Sequence, residues 1–260
     1  MASFNVRSLT TFSVLALLFA TVLEGCAANY SSSRYQTGRW AAGGPVTELT
    51  DGTVPVGLVY GRTCCALGEG TPRQQGLARA AIGFLGRSRI EVDGRRFKPD
   101  CAGFVRGVYI SQDIDLYNGL EEPPRGYNGV RFIHQYVKQH GWLHYGPTVH
   151  AGDLVFFHNT WDFNRDGRFN DPLTHVGVVD RIEDNGTIVF VSRVSDGVQR
   201  YRMNLQNPDT HKAPDGRILN DFMRRKGFRD PRAAQYLTGQ LFAAFGTLSG
   251  ENHATTISTR

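Results

Sequence analysis

The chain has 260 residues, of which 40% are hydrophobic and 20% are charged, and this composition agrees with one ordinary soluble domain that carries extensions. Its formal net charge of +5 favours an anionic partner, such as a cell wall or a lipid surface. The 29 Lys and Arg residues are scattered, and the densest run, Arg224-Arg225-Lys226, is more typical of a solvated surface than of a nucleic-acid-binding patch. We therefore expect no nucleic-acid partner.

The N-terminus has the features of a targeting segment. A positive charge precedes an apolar run over residues 9–23, which is short for a membrane span, and we predict a signal peptide over residues 1–25. The sequence Leu23-Glu24-Gly25-Cys26 resembles a bacterial lipobox, in which the cysteine is lipidated, although its Glu departs from that pattern. Lipidation of Cys26 would anchor the protein to a membrane, the outer membrane in a Gram-negative cell. The alternative is cleavage after Ala28 and release into the periplasm or the medium.

Turn-forming residues dominate the next segment, and we predict a tether over residues 26–71. Apolar residues at helical spacing then predict a helix over residues 73–85. Residues 90–97 alternate around an Asp-Gly pair, which predicts a short hairpin.

The segment from Asp100 to Tyr109 predicts a helix that carries Cys101 in its first turn. Apolar residues recur at the spacing of one helical face, and Asp100 is a favourable N-cap. A thiol at a helix N-terminus lies near free N–H groups and the positive end of the helix dipole, so we expect Cys101 to favour the thiolate. The alternative is a buried cysteine that only fills space.

Two short apolar runs predict strands over residues 152–157 and 174–179. His175 would begin the second strand, and Gly177 on the same face leaves it room to lean over a neighbouring element. A cysteine nucleophile needs such an imidazole to accept its proton. A histidine at a strand end is also compatible with a purely structural role.

The loop between these strands resembles the opening of an EF-hand-like calcium loop. Asp162, Asn164 and Asp166 occupy positions 1, 3 and 5, and a Gly follows at position 6. Position 12 is Leu173 instead of a bidentate carboxylate, and Asp171 would substitute if the loop closed early. The alternative is a connection made of turn-forming residues.

The C-terminal part of the chain predicts a last strand at residues 201–205 and a helix over residues 231–245. Asp230-Pro231 favours a helix start and Gly246 a helix end, and the apolar face would dock on the domain. We expect the polar tail, residues 249–260, to be disordered.

The order of the Cys helix, Gly-Asp-Leu-Val-Phe-Phe and His-Val-Gly-Val-Val resembles the NlpC-type cysteine peptidases of bacterial cell walls. This papain-like superfamily also includes the CHAP amidases. The resemblance covers residues 74–205, where Asp100-Cys101-Ala102-Gly103-Phe104-Val105 is similar to the family's Asp-Cys-Ser-Gly-Phe-Val. It implies that Cys101 is the nucleophile, that His175 is the base, and that a polar residue on the next strand, here Ser192, orients the imidazole.

Two departures from the family pattern bear on activity. Ser192 holds no charge and orients an imidazole less firmly than His or Asp. The family's upstream Tyr after Leu-Gly is missing from residues 85–89, where Arg89 either stabilises an oxyanion as a cation or lies in solvent.

The resemblance implies an α+β, papain-like NlpC-type fold, with the Cys helix packed on an antiparallel sheet that bears His175. We expect a catalytic domain over residues 72–206 and a C-terminal extension with a docking helix over residues 207–248. The expected function is a cysteine-dependent peptidase or amidase that hydrolyses peptidoglycan and requires no cofactor, although calcium would bind the loop described above. The alternatives are a catalytically weak or inactive cell-wall-binding lipoprotein and an acyltransferase on the same scaffold. The oligomeric state stays open.

The remaining cysteines, Cys64 and Cys65, are adjacent. Neighbouring Cα atoms lie about 3.8 Å apart across a trans peptide, below the usual disulfide range of roughly 4.4–6.8 Å. A vicinal disulfide, two free thiols and pairing between molecules are the alternatives.

Overall fold

The fold is organised by a six-stranded antiparallel sheet, in a computed structural model that describes residues 64–118, 128–228 and 230–248. In sheet order the strands are β4 (Trp142–His144), β10 (Phe242–Thr247), β6 (Leu154–Phe157), β7 (His175–Ile182), β8 (Ile188–Val194) and β9 (Gly197–Met203). The helices are α1 (Pro72–Gly83), α2 (Cys101–Ile110), α3 (Gly129–His140) and α4 (Thr238–Leu241). This mixture of helices and one large antiparallel sheet confirms the α+β class.

Two small sheets complete the fold. β1 (Ala66–Leu67) pairs in parallel with β5 (Thr148–Val149), so part of the predicted tether belongs to regular structure. β2 (Ile90–Val92) and β3 (Arg95–Phe97) form the predicted hairpin. Its turn residues, Asp93 and Gly94, have φ angles of 49° and 74°, as a tight two-residue hairpin turn requires.

The sequence accounts for the starts of the first two helices. Thr71 and Gln74 form a capping box at α1, with Pro72 at the first helical position. At α2 the Asp100 carboxylate accepts a hydrogen bond from the Gly103 amide at 2.8 Å. Both predicted helices are confirmed.

The core lies on both faces of the sheet. Val176 and Val178 of β7 pack with apolar residues of α1, α2 and α3, among them the fully buried Phe104. Val179, which points to the opposite face, belongs to a second cluster with Phe157 and Phe190. The Cys-bearing helix therefore packs directly on the strand that begins with His175.

The predicted helix over residues 231–245 is wrong. Only α4 is helical, and residues 242–247 form β10, which lies between β4 and β6. All six residues of β10 are buried, and a strand buried on both faces lacks the alternation that would distinguish it from a helix. The sheet thus continues well beyond residue 206, and β9 is not its last strand in the chain.

The predicted signal peptide, Cys26 and the tail 249–260 lie outside the described residues. Within the described ranges, no helix is both long and apolar enough to cross a membrane. Cys64 and Cys65 are buried and joined in a vicinal disulfide, whereas Cys101 carries a free thiol.

Candidate active site

Cys101 occupies the first position of α2, directly after its Asp100 cap. Close packing holds this helix end in place, because a Cβ atom on Gly103 would lie 1.9 Å from the carbonyl oxygen of Lys98. Ala102 is also closely approached, since a Cβ atom on Gly129 at the start of α3 would lie 3.0 Å from its methyl group. The two small residues after Cys101 therefore let neighbouring backbone come close to the thiol.

His175 begins β7 and is 8% exposed. Gly177, two residues further along the strand, lies under the Phe190 ring, where a Cβ atom would approach that ring to 2.7 Å. The space that the missing side chain of Gly177 leaves is occupied by Phe190 and not by the imidazole, so the expectation that Gly177 gives His175 room to lean is wrong. His175 itself is held from the side by the next strand.

Ser192 of β8 fixes the orientation of the imidazole. Its hydroxyl lies 2.8 Å from Nε2 of His175 and 2.7 Å from the carbonyl oxygen of Val176. A carbonyl only accepts, so the hydroxyl donates its proton to Val176 and accepts from an N–H at Nε2. The hydrogen-bond pattern therefore assigns the Nε2–H tautomer and leaves Nδ1 as the basic nitrogen.

One open cleft brings the two reactive residues together. Cys101 and His175 both line it, while Ser192 is fully buried behind the imidazole. Cys101 and His175 are far apart in the sequence, and they line the same cleft because α2 packs on β7. The cleft is also lined by charged and aromatic residues from four further segments: Lys98, Trp161, Arg165, Arg193, Arg225 and Phe228.

The expected preference of Cys101 for the thiolate is wrong. Burial raises the pKa of Cys101 to about 12, and the adjacent Asp100 carboxylate contributes in the same direction. Hydrogen bonds from the backbone amides of Val176, Ala102 and Cys101 itself lower the pKa but do not outweigh these effects. The amides at the helix terminus lower the pKa of Cys101 as expected, but the capping residue, Asp100, places a negative charge beside the sulfur and raises it.

His175 rests as the neutral imidazole. Burial lowers its pKa to about 4, and the Asp100 carboxylate opposes this change only in part. The neutral imidazole and the neutral thiol line the same cleft. An imidazole within hydrogen-bond reach of a thiol can accept its proton when sulfur attacks a carbonyl. The backbone amides at the start of α2 are available donors for the resulting oxyanion.

Arg89 does not take part in this arrangement. Its side chain is exposed and borders a separate surface depression beside Glu91. The structure therefore places it in solvent, which was one of the two alternatives drawn from the sequence.

The calcium-loop residues lie on the rim of the same cleft, which Asp162 lines directly. Asp166 is committed within the loop: its carboxylate accepts from the Arg168 amide and from the side chains of Asn164 and Asn170. Burial raises the pKa of Asp171, and the negative charges of Asp162 and Asp166 raise it further. Among the described residues, no group of three or more His, Cys, Asp or Glu side chains is arranged to hold a metal ion.

Sequence reasoning missed the C-terminal contribution to the cleft. Part of its wall is supplied by Met223, Arg224, Arg225, Gly227, Phe228 and Asp230. A buried ion pair between Arg224 and Asp230 at 2.6 Å holds this wall. Arg224 also donates to the carbonyl of Asn159 at 2.9 Å, which ties this wall to the calcium-loop segment. The short distance between Arg224 and Asp230 in the sequence was the only available indication of the pair.

No protein-family model matches this chain, and a search of curated proteins finds no significant match.

Proposed function

We propose that the protein is a cysteine-dependent amide hydrolase that acts on peptidoglycan peptides and belongs to the papain-like, NlpC-type peptidases. The observation that carries the proposal is the pairing of Cys101 and His175 in one cleft, with the imidazole tautomer set by Ser192. The sequence motif around Cys101 supports the same family.

The proposed reaction starts from the neutral thiol and imidazole. Nδ1 of His175 accepts the Cys101 proton while sulfur attacks the amide carbon, and amides at the start of α2 stabilise the oxyanion. The C–N bond then breaks, and the imidazolium protonates the leaving amine. His175 next activates a water molecule, which hydrolyses the thioester and returns the thiol.

The charge of the cleft favours an anionic peptide. Five basic residues line it against three acidic ones, Asp100, Asp162 and Asp230. Lys98 is paired with Asp100 at 2.9 Å and Arg224 with Asp230 at 2.6 Å, so the positive excess rests on Arg165, Arg193 and Arg225. Peptidoglycan stem peptides carry free carboxylates, which such a cleft would attract.

The N-terminal sequence supports a location in the cell envelope. In this proposal Cys26 carries a lipid that anchors the enzyme to a membrane next to peptidoglycan. Cleavage after Ala28 would instead release a periplasmic or secreted enzyme.

The test is a digest of purified peptidoglycan followed by mass spectrometry. We expect new amine and carboxyl ends with the wild type and none with Cys101→Ala. A Cys64→Ser, Cys65→Ser double variant, which removes the disulfide but not the Cys101 thiol, is the cysteine control and should retain most activity, because neither residue lines the cleft. Binding without turnover by the wild type would contradict hydrolysis and favour a cell-wall-binding protein. Products joined to an added amine would favour acyl transfer.

A further inference from the structure

One loop contains every buried side-chain oxygen that lacks a hydrogen-bond partner among the described residues. These oxygens are Asp162 Oδ1, Asn170 Oδ1 and Asp171 Oδ2. An unpaired buried acceptor is destabilising because it loses its hydrogen bonds to water, and more so if it is charged. Three such oxygens within ten residues form an environment that suits an electropositive ligand.

The two carboxylates share a common arrangement. Oδ2 of Asp162 accepts from the Gly167 amide at 2.9 Å, and Oδ1 of Asp171 lies 3.3 Å from the Asn164 amide. Each carboxylate thus braces the loop with one oxygen and leaves the other oxygen unpaired. Asp171 is only 3% exposed, so water does not readily replace the missing partner.

Asp171 is turned towards the loop from its closing end. Its own amide donates to Oδ1 of Asn159 at 2.6 Å, and its carbonyl accepts from the Asn159 amide at 2.8 Å. These bonds close the neck of the loop and direct the carboxylate to the segment that contains Asp162 and Asn164. No Lys or Arg forms an ion pair with Asp162 or Asp171 among the described residues that could neutralise them instead.

We propose that this loop binds a calcium ion through Asp162, Asn170 and Asp171, with backbone carbonyls and water completing the coordination. Carboxylate and amide oxygens without nitrogen or sulfur ligands suit a hard cation, and calcium tolerates the irregular geometry of a loop better than magnesium does. The set differs from the EF-hand-like one, because Asn164 and Asp166 are bonded to each other and Asn170 takes their place. It contains two carboxylates and one amide oxygen, fewer acidic ligands than a group of three or more His, Cys, Asp or Glu side chains, which no part of the described structure provides.

Calcium at this position would stiffen one wall of the cleft. Trp161, Phe163 and Arg165, which precede or lie within the loop, all line the cleft. Two threonines connect the neck of the loop to His175. The Thr160 amide donates to the hydroxyl of Thr174 at 2.8 Å, and Thr174 directly precedes His175 in the chain. An effect of calcium on turnover rests on the proposed function, whereas calcium binding itself does not.

The test measures melting temperature and calorimetric binding of the full chain with CaCl2, with MgCl2 and with chelator. We expect a dissociation constant for calcium of about 0.1–1 mM, as in weak extracellular sites, and a rise of about 2–6 °C in melting temperature at 10 mM calcium. We expect magnesium to give a smaller shift. Neither readout needs turnover, so a failure of the proposed hydrolysis would leave this result intact.

Asp171→Asn gives the most specific test. It removes a buried unpaired charge, so in chelator the variant should melt no lower than the wild type, while its calcium-dependent shift should largely disappear. Asp162→Asn should weaken calcium binding at least tenfold. Asp215→Asn is the control, since Asp215 lies in an exposed turn with Arg217, and it should keep the full shift. No calcium shift in the wild type, or equal shifts in the wild type and Asp171→Asn, would overturn the proposal.

Discussion

Ser192 accepts a hydrogen bond from the imidazole N–H of His175 at 2.8 Å and donates its own proton to the carbonyl of Val176. Val176, which follows His175 on β7, therefore orients the Ser192 hydroxyl through its carbonyl, and Ser192 in turn orients the imidazole. A neutral hydroxyl can hold a tautomer in this way, but it would not stabilise the imidazolium that the proposed reaction forms. Orientation and charge stabilisation, which a carboxylate would provide together, are separate here.

We predict that Ser192→Ala lowers kcat by about tenfold, whereas His175→Ala lowers it by several orders of magnitude. The first variant loses one orienting hydrogen bond, worth about 0.5–1.5 kcal/mol, and the second loses the proton acceptor. The measurement is turnover of purified muropeptides, with circular dichroism as the folding control. Equal losses in the two variants would show that the serine does more than orient the ring.

Asp100→Asn should lower the pKa of Cys101, because it removes a negative charge beside the sulfur. Asn is as good an N-cap as Asp, so α2 should keep its start. The pH dependence of iodoacetamide alkylation measures this pKa directly. Asp100→Ala is the comparison, since it removes the cap together with the charge and should also lower the melting temperature. An unchanged alkylation profile in Asp100→Asn would contradict the assigned role of the carboxylate.

The protein should lose stability as the pH falls from about 6.5 to 4. Burial lowers the pKa values of His134, His158 and His175 to about 4 each, so over this range the unfolded chain binds protons that the folded protein does not. Each such histidine contributes a slope of about 1.4 kcal/mol per pH unit, and stability rises with pH. His150 acts in a higher pH range, because the bond to Asp153 raises its pKa, and the stability it contributes is complete below about pH 6.5 and is lost as the pH rises through the raised pKa.

Denaturant unfolding at several pH values measures this slope. His158→Gln should flatten it by up to one proton, because His158 titrates with the lowered pKa and an amide does not titrate. His211→Gln is a suitable control for the loss of a histidine outside this group. A slope that does not change in His158→Gln would contradict the buried neutral state of that ring.

Phe245→Ala should destabilise the fold by about 3–5 kcal/mol, the range for truncating a buried aromatic side chain. Phe245 is 0% exposed and pairs with both neighbouring strands through β10. Phe228→Ala is the matched control, since Phe228 is fully exposed and should change stability by no more than about 0.5 kcal/mol. If the two variants unfolded at the same denaturant concentration, β10 would not be an integral strand of the sheet.

Local sequence chemistry was sufficient for much of the site. Asp100 caps α2, and the Asp93-Gly94 pair turns the hairpin. Each of these features depends on residues close together in the chain, so the sequence alone predicts them.

Long-range packing decided the rest. The apolar run 242–247 fits a helix and a buried strand equally well, and only pairing with β4 and β6 made it a strand. The pKa of Cys101 depends on how densely the neighbouring elements pack around the sulfur, which outweighs the helix terminus. By itself the sequence determined which residues are candidates for the proposed chemistry and where their elements start, because capping and turn formation are local. Only the tertiary structure decided which of them meet and how they ionise, because strand pairing and burial depend on residues distant in the chain.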